Sequence, residues 1–326
     1  MKLASLKSDN RDGELILVSR DLSIAVKVNN IAKTLQYALD NWDTVEPKLQ
    51  SQYELLNHGK LKDTFKLNTK ALNAPLPRCY QWADASAYVN HVELVRKSRG
   101  VVMPENFWTD PLMYQGGSDN FLGPADDIEV LDLTYGVDFE AEVVVVTDDI
   151  KMGTKKEDLN ESILLIGLVN DISLRNLIPN EIAKGFGFFQ SKPASSFAPV
   201  FVTPDELGDS WDGAKVNLPL RSYINNELFG APNAGDDMTF NFKDLIFHAT
   251  KTRNLSAGTI IGSGTVSNLD RSKGSSCIAE KRMLEIINSG KPETSFLNDG
   301  DSVKIEMINN DSENIFGSID QKVKLL

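Results

Sequence analysis

The chain has 326 residues, which is enough for one large domain or two of moderate size, each with an ample hydrophobic core. Its 34 basic and 46 acidic side chains give a net charge of −12, and no stretch is rich in Lys or Arg. This balance argues against nucleic acid or an anionic membrane surface as a partner. Two cysteines are too few for a disulfide framework or a thiolate zinc site. Because the N-terminus lacks an apolar signal segment, and no run approaches the roughly 18 apolar residues of a membrane span, we expect a soluble cytoplasmic protein.

The first part of the chain, residues 1–71, predicts a small accessory domain. Two short strands are expected at Glu14–Ser19 and Ser23–Val28. Apolar residues at helical spacing then predict a helix from Ile31 to about His58. The proline-rich stretch Leu72–Arg78 is the best candidate for a domain boundary, because prolines interrupt regular structure.

The second part, residues 72–326, predicts a β-rich domain. Helices are expected at Ala85–Lys97 and Phe242–Thr252, while Ser162–Val169 fits either a buried strand or the end of a helix. The expected strands are Glu129–Leu133, Val137–Val146, Phe197–Val202, Leu218–Ile224, Thr259–Ile261 and Ser302–Ile308. Since strands outnumber helices and do not alternate with them, a β-rich mixed fold is favoured over a doubly wound sheet.

Two carboxylates lie inside one of the most apolar segments, Phe139–Val146. The segment is β-branched and predicts a strand, so Glu140 and Glu142 are expected to share one face. Two ionised carboxylates side by side in a buried sheet repel each other and lose hydration. The pair therefore requires a compensating group: a bound cation, several Lys or Arg side chains, or a shared proton.

A third acidic residue, Asp171, follows the apolar segment that ends at Val169. Taken alone, Asp171 fits a helix N-cap, with Ser173 and Arg175 in the first turn. If it meets the two glutamates in space, the three carboxylates would form an all-oxygen site for Mg²⁺, Mn²⁺ or Ca²⁺. The scarcity of Cys and His disfavours a thiolate or imidazole metal site.

Further candidate residues lie on both sides of this acidic group. Asp84 and His91 are seven residues apart, so on a helix both would face one way. A lone His on a helix is more often structural than catalytic, and Arg96 and Arg99 fit an exposed helix face. Lys192 follows an aromatic run, where it is either a surface residue or a charge held in a pocket.

Taken in order, these motifs resemble the fumarylacetoacetase (fumarylacetoacetate hydrolase) family over about residues 72–326. The matching segments are Asp84 to His91, Glu140-Ala-Glu142, Asn170-Asp171-x-Ser173-x-Arg175, Lys192, Gly262–Thr265 and Gly274–Glu280. The resemblance implies a β-rich α+β fold, in which a mixed β-sandwich roll forms the catalytic domain beside a small N-terminal accessory domain. It also implies a homodimer.

The same resemblance implies roles for individual residues. One Mg²⁺ or Ca²⁺ ion, with Mn²⁺ as a further candidate, would be bound by Asp84, Glu140, Glu142 and Asp171. His91 would be the general base that activates water, and the carboxylate of Glu280 would orient it. Arg175 and Lys192 would be the two cations that stabilise developing charge. The substrate would be held by Tyr88, Tyr114, Thr265 and an arginine near the end of the first catalytic-domain helix, Arg96 or Arg99.

The implied activity is hydrolysis of a carbon–carbon bond in a small anionic β-diketo acid, foremost fumarylacetoacetate in tyrosine catabolism. This chain departs from the animal enzyme at Ser86, Ile178 and Ile182, which stand where that enzyme has a Tyr, a Gln and a Tyr. These changes concern substrate recognition. The rival hypotheses within the superfamily are acylpyruvate hydrolysis, 2-keto acid decarboxylation, sugar-acid dehydration and isomerisation. A rival from another class is a non-catalytic binding protein. Retention of His91 and Glu280 favours hydrolysis.

Overall fold

The computed structural model describes residues 1–98 and 100–326, and strands dominate this part of the chain. The strands are β1 Lys2–Leu6, β2 Glu14–Val18, β3 Ile24–Lys27, β4 Thr64–Lys66, β5 Trp82–Ala85, β6 Met113–Gly116, β7 Ile128–Val130, β8 Val137–Asp138, β9 Ala141–Thr147, β10 Ile163–Asn170, β11 Ser173–Leu174, β12 Ser196–Phe197, β13 Phe201–Val202, β14 Leu220–Ile224, β15 Glu227–Gly230, β16 Ile260–Gly262, β17 Ser302–Met307 and β18 Ile319–Leu325. The α-helices are α1 Leu35–Leu39, α2 Trp42–Asn57, α3 Val89–Ser98, α4 Ile178–Ile182, α5 Phe242–Thr250 and α6 Ile278–Ser289. The protein is thus a β-rich α+β fold of the mixed β-sandwich roll type, as expected from the resemblance.

The main sheet runs in the order β4-β3-β2-β1-β13-β10-β9-β16-β5-β6. Its two longest central strands, β9 and β10, are buried along their whole length. On β9, Val143 and Val145 pack into one hydrophobic cluster, whereas Val144 and Val146 pack into another on the opposite face. Because both faces are covered, these strands have continuous apolar sequences rather than alternating ones.

A second sheet, β15-β14-β17-β18-β7, covers one face of the main sheet. Leu220, Ile305 and Ile319 from this sheet belong to the same hydrophobic cluster as Val143 and Val145. The two sheets therefore form the sandwich.

The N-terminal segment covers the opposite face. Leu35 and Leu49, from α1 and α2, share a cluster with Val144. Strand β1 also pairs antiparallel with β13, so the N-terminal strands extend the main sheet. The division into residues 1–71 and 72–326 stays a prediction.

Several elements differ from the sequence-based expectations. The helix predicted over Ile31–His58 is two helices, α1 and α2. The helix predicted over Ala85–Lys97 begins only at Val89, because residues 82–85 form β5, which is paired on both sides by β16 and β6. This tertiary pairing overrides the local helical pattern. Asp84 and His91 therefore do not share a helix, and that argument for their common orientation is wrong.

Other elements resolve open alternatives or were not predicted. Ser162–Val169 corresponds to strand β10 rather than to a helix end. Phe197–Val202 is interrupted, and only its two ends, β12 and β13, pair as strands. Helix α6 was not predicted. Within residues 1–98 and 100–326, no helix has the length and hydrophobicity needed to span a bilayer.

Candidate active site

Three buried carboxylates converge where neighbouring strands of the main sheet end. Asp84 lies on β5, Glu142 on β9 and Asp171 directly after β10. One carboxylate oxygen from each lies within 4.8 Å of the others. Asp171 is followed by the short strand β11, so the interpretation of this residue as a helix N-cap is wrong.

Glycine allows Asp84 to reach this group across β16. A Cβ atom at Gly262 would lie 2.3 Å from Oδ1 of Asp84, so only glycine leaves room for the carboxylate. Two residues later, the N–H of Gly264 donates a hydrogen bond of 3.1 Å to the same oxygen. Gly264 has a φ of +71°, in the left-handed region that favours glycine. These two glycines thus serve to place an acidic side chain.

The electrostatics of this group fit a bound cation. Burial, together with the charge of Asp171, raises the pKa of Asp84 to about 8. Burial, together with the charges of Asp84 and Asp171, raises the pKa of Glu142 well above its usual range. Neither carboxylate oxygen of Glu142 has a hydrogen-bond partner among the described residues. Unpartnered buried oxygens in an acidic cluster fit a hard divalent cation such as Mg²⁺, Ca²⁺ or Mn²⁺.

Glu140 binds the two cations of the site rather than the acidic cluster. Its carboxylate accepts a hydrogen bond of 2.8 Å from Arg175 and another from Lys192. Burial alone would raise the pKa of Glu140, but the positive charges of Lys192 and Arg175 hold it below its usual range. Lys192 also donates a hydrogen bond of 2.6 Å to Asp171. The structure thus brings three of the four predicted metal ligands together, namely Asp84, Glu142 and Asp171. The fourth, Glu140, is paired with Arg175 and Lys192 beside this group.

The predicted base and its partner are in contact. Nδ1 of His91, on α3, lies 2.6 Å from Oε2 of Glu280, on α6. Burial alone would raise the pKa of Glu280, but the hydrogen bond and charge of His91 hold it below its usual range. With Nδ1 fixed by Glu280, Nε2 is the nitrogen left to exchange a proton. His91 lines the same cleft as Asp84 and Glu142.

This cleft has a volume of about 120 Å³. Most of the predicted site residues line it. Its walls are formed by Asp84, Ala85, Ser86, Tyr88, His91, Tyr114, Glu140, Glu142, Arg175, Ile178, Phe188, Lys192, Gly264 and Thr265. One small cleft is therefore lined by the imidazole of His91, by the cations Lys192 and Arg175 and by two carboxylates of the acidic cluster, Asp84 and Glu142.

The predicted substrate-binding residues have different surroundings. Tyr114 donates a hydrogen bond of 2.6 Å to Asp171. Tyr88 donates one of 2.6 Å to a backbone carbonyl, that of Ala234. Thr265 lines the cleft, whereas Arg96 binds the carbonyl of Val102 and is not among the described residues that line the cleft. Arg99 lies outside the described residues.

One residue that connects the site, Asp138, was not predicted. Its buried carboxylate accepts hydrogen bonds from the backbone N–H groups of Ile278 and Ala279, at the start of α6. It also accepts a hydrogen bond of 2.7 Å from Nε of Arg175. Asp138 therefore joins Arg175 to the helix that carries Glu280. The only sequence signal was a third acidic residue directly before the glutamate pair.

Comparison with known proteins places the chain in a family. Residues 81–324 match the family described as fumarylacetoacetate (FAA) hydrolase C-terminal, and residues 1–78 match the one described as fumarylacetoacetase N-terminal domain 2. The chain belongs to the fumarylacetoacetate hydrolase family. It is an enzyme of this superfamily, whose members bind divalent metal ions and act on small acids.

The individual relatives have low sequence identity to this chain. Mitochondrial oxaloacetate tautomerase fahd2 of Xenopus laevis is 26% identical over 159 residues, which are 48% of this chain and 47% of that protein. Mitochondrial oxaloacetate tautomerase FAHD2B of Homo sapiens is 23% identical over 70% of this chain and 72% of that protein. The match thus spans about half the length of the Xenopus relative.

Solved structures share the whole fold. A putative HpcE protein from Mycobacterium smegmatis superimposes with a TM-score of 0.69 at 20% identity, covering 100% of this chain and 99% of that one. Maleylpyruvate hydrolase from Sphingobium sp. SYK-6, in complex with manganese(II) ion and pyruvate, gives a TM-score of 0.66 at 14% identity over 100% and 99% of the two chains. These similarities show the fold.

Proposed function

We propose that this protein is a metal-dependent hydrolase that cleaves the carbon–carbon bond between the carbonyl groups of a β-diketo acid. The observation that carries the proposal is the contact between His91 and Glu280, because His91 lines the same cleft as Asp84 and Glu142, two of the three clustered carboxylates. Hydrolysis requires water to be deprotonated beside a polarised carbonyl, and the cleft holds residues suited to both tasks.

Asp84, Glu142 and Asp171 would bind the cation, with Glu140 as a fourth ligand. When bound, a divalent cation such as Mg²⁺, Ca²⁺ or Mn²⁺ polarises carbonyl oxygens as a Lewis acid. The maleylpyruvate hydrolase relative, solved with manganese(II) and pyruvate, supports a 2-oxo acid as the group held in this cleft.

The residues of the chain carry the proton transfers. Nε2 of His91 removes a proton from water, and the hydroxide attacks the carbonyl carbon farther from the carboxylate. The bond between that carbon and the intervening methylene breaks, and the electron pair stays on the methylene carbon as an enolate. Lys192 and Arg175 stabilise the negative charge, and protonation by the His91 imidazolium gives a methyl group.

For an acylpyruvate the balance is R-CO-CH₂-CO-COO⁻ + H₂O → R-COOH + CH₃-CO-COO⁻. Fumarylacetoacetate is cleaved by the same sequence of steps, to fumarate and acetoacetate. Acylpyruvates and fumarylacetoacetate are both small anionic diketo acids. The proposal also includes the homodimer implied by the resemblance and the cytoplasmic location expected from the sequence. Tyrosine catabolism follows only if fumarylacetoacetate is the physiological substrate.

A second candidate is keto–enol tautomerisation of a 2-oxo acid. It is favoured by the names of the two relatives described above, both oxaloacetate tautomerases. Tautomerisation needs the cation site and a proton-transferring residue, but it consumes no water. The His91–Glu280 pair supports hydrolysis, because an oriented base is needed to activate water.

The test is to incubate the protein together with Mg²⁺ in three separate reactions, one each with acetylpyruvate, fumarylacetoacetate and oxaloacetate. Hydrolysis is followed by loss of the diketone absorbance and by release of pyruvate or fumarate, and tautomerisation by the rate of enol decay. We expect both diketo acids to be cleaved, with cleavage products formed in proportion to the substrate consumed. We expect this cleavage to require the metal. Enol decay of oxaloacetate without cleavage of either diketo acid would favour the tautomerase and contradict the hydrolase.

A further inference from the structure

A second cavity opens directly from the catalytic cleft. We call it the acyl groove, and its volume is about 460 Å³. Its walls are formed by Ser86, His91, Val92, Val95, Leu112, Arg175, Ile178, Pro179, Ile182, Phe188, Ala279, Arg282, Met283, Ile286 and Phe296. Ser86, His91, Arg175, Ile178 and Phe188 line both spaces. A molecule bound at His91 can therefore extend into the groove.

The walls of the acyl groove are predominantly apolar. They come from α3, α4 and α6 and from connecting segments such as those of Leu112, Phe188 and Phe296, with apolar side chains such as Ile178 and Met283. Ile178 and Ile182 both line the groove, so hydrocarbon side chains face the space where a substituent of the substrate would lie.

The two arginines in the groove walls have different partners. Arg175 is hydrogen-bonded to Asp138 and Glu140. Arg282 donates to the carbonyl of Thr294 and lies 4.4 Å above the ring of Phe296. Arg175 is thus paired with two carboxylates, whereas Arg282 forms no ion pair among the described residues.

The sizes of the two spaces indicate how a substrate would divide between them. Small-molecule sites commonly measure about 300–1,000 Å³. The catalytic cleft, at about 120 Å³, is below that range, and the groove, at about 460 Å³, is within it. The cleft has room for a reacting head group, and the groove has room for a longer substituent.

We propose that the substrate is a 2,4-dioxo acid whose acyl group is an unbranched or branched hydrocarbon chain, bound in the acyl groove. This inference rests on the hydrolase function proposed above and specifies its substrate class. The dioxo acid head occupies the catalytic cleft, and the hydrocarbon contacts Ile178 and Met283. These two residues determine specificity.

The test uses acylpyruvates with acetyl, butanoyl, hexanoyl and octanoyl groups, hydrolysed by the full-length protein with Mg²⁺. Each methylene buried in the groove is expected to raise kcat/KM roughly fourfold until the groove is filled.

Two variants place an amide in the groove. Met283→Gln keeps the side-chain length, and Ile178→Gln tests the opposite wall if the first variant folds poorly. In each, the ratio of kcat/KM for hexanoylpyruvate to that for acetylpyruvate is expected to fall about tenfold. The matched control is Met152→Gln, because Met152 is 58% exposed and does not line the groove. Its ratio should equal that of the unmodified protein.

The outcomes separate this inference from the proposed function. Equal kcat/KM values for acetylpyruvate and hexanoylpyruvate would overturn the hydrocarbon specificity but leave the hydrolase intact. Absence of turnover with every acylpyruvate would overturn the hydrolase function and with it this substrate class.

Discussion

At the residue scale, the proposed chemistry depends on one imidazole. Within the described part of the chain, His91 is the histidine that lines the catalytic cleft, and its Nδ1 is held by the buried carboxylate of Glu280. Among the groups lining the cleft, Lys192 and Arg175 are already paired with carboxylates. The imidazole is therefore the best-placed proton acceptor for water.

We expect His91→Ala to lower kcat by about 10²–10⁴-fold while Mg²⁺ affinity stays unchanged, because the imidazole transfers protons and is not a proposed ligand. The measurements are steady-state cleavage of acetylpyruvate and calorimetric titration with Mg²⁺. The matched control is His58→Ala, since His58 is exposed at the end of α2. A rate for His91→Ala near that of the control would show that the assigned base is wrong.

The metal site has an equally specific residue. Because both oxygens of Glu142 are buried without hydrogen-bond partners, they are available to a cation. We expect Glu142→Gln to weaken Mg²⁺ binding by more than about tenfold, since changes even to the partners of ligands cost 10–100-fold. Titration calorimetry measures this effect. The control is Glu129→Gln, at an exposed ion pair with Lys324. Equal affinities in the two variants would exclude Glu142 as a ligand.

At the element scale, the N-terminus of helix α6 is held by a side chain from strand β8. Asp138, at the end of β8, binds the first N–H groups of the helix and the guanidinium of Arg175. A carboxylate at a helix N-terminus also interacts favourably with the helix dipole. The arrangement sets the position of Glu280, and through it that of His91, relative to Arg175.

We expect Asp138→Asn to lower the free energy of unfolding by about 1–3 kcal/mol, because an amide satisfies fewer of these buried donors. We also expect kcat to fall, and its loss to combine less than additively with that of Arg175→Lys, since both changes disrupt one network. Urea unfolding and a double-mutant cycle on kcat provide the two measurements. Asp320→Asn, at an exposed position on β18, is the control. Strictly additive losses in kcat would contradict the coupling.

At the scale of the whole molecule, the acidic cluster makes the stability of the metal-free protein depend on pH. Burial and the neighbouring carboxylates raise the pKa of Asp84 to about 8 and that of Glu142 well above its usual range. At these two groups the native protein therefore binds more protons between pH 5 and 8 than the unfolded chain, in which carboxyl groups titrate near pH 4. Their contribution to the free energy of unfolding must fall as the pH rises through this range.

We accordingly expect the melting temperature in EDTA to decrease from pH 5 to pH 8, and excess Mg²⁺ to reverse most of the decrease at pH 8. Differential scanning calorimetry at several pH values measures both effects. In Glu142→Gln, which has one carboxylate fewer in the cluster, the decrease should be smaller. A melting temperature that rises steadily to pH 8 in EDTA would contradict the electrostatic account of the cluster.

The sequence by itself determined the elements whose pattern is local. The apolar runs around Glu142 and before Asp171 specify buried strands, because covered strands need hydrocarbon on both faces. Two acidic groups in such runs already indicate a site that needs compensation. The order of the motifs was sufficient to indicate the family, which the matches over residues 1–78 and 81–324 establish.

Only the tertiary structure decided which groups meet. Strand pairing placed Asp84 on β5 rather than on a helix, because pairing partners distant in sequence outweighed local periodicity. The contacts of Glu140 with Lys192 and Arg175, and those of Asp138 with α6, join segments far apart in the chain. The acyl groove is likewise formed by three helices and several connecting segments, so its size and apolar lining depend on packing, which local sequence does not encode.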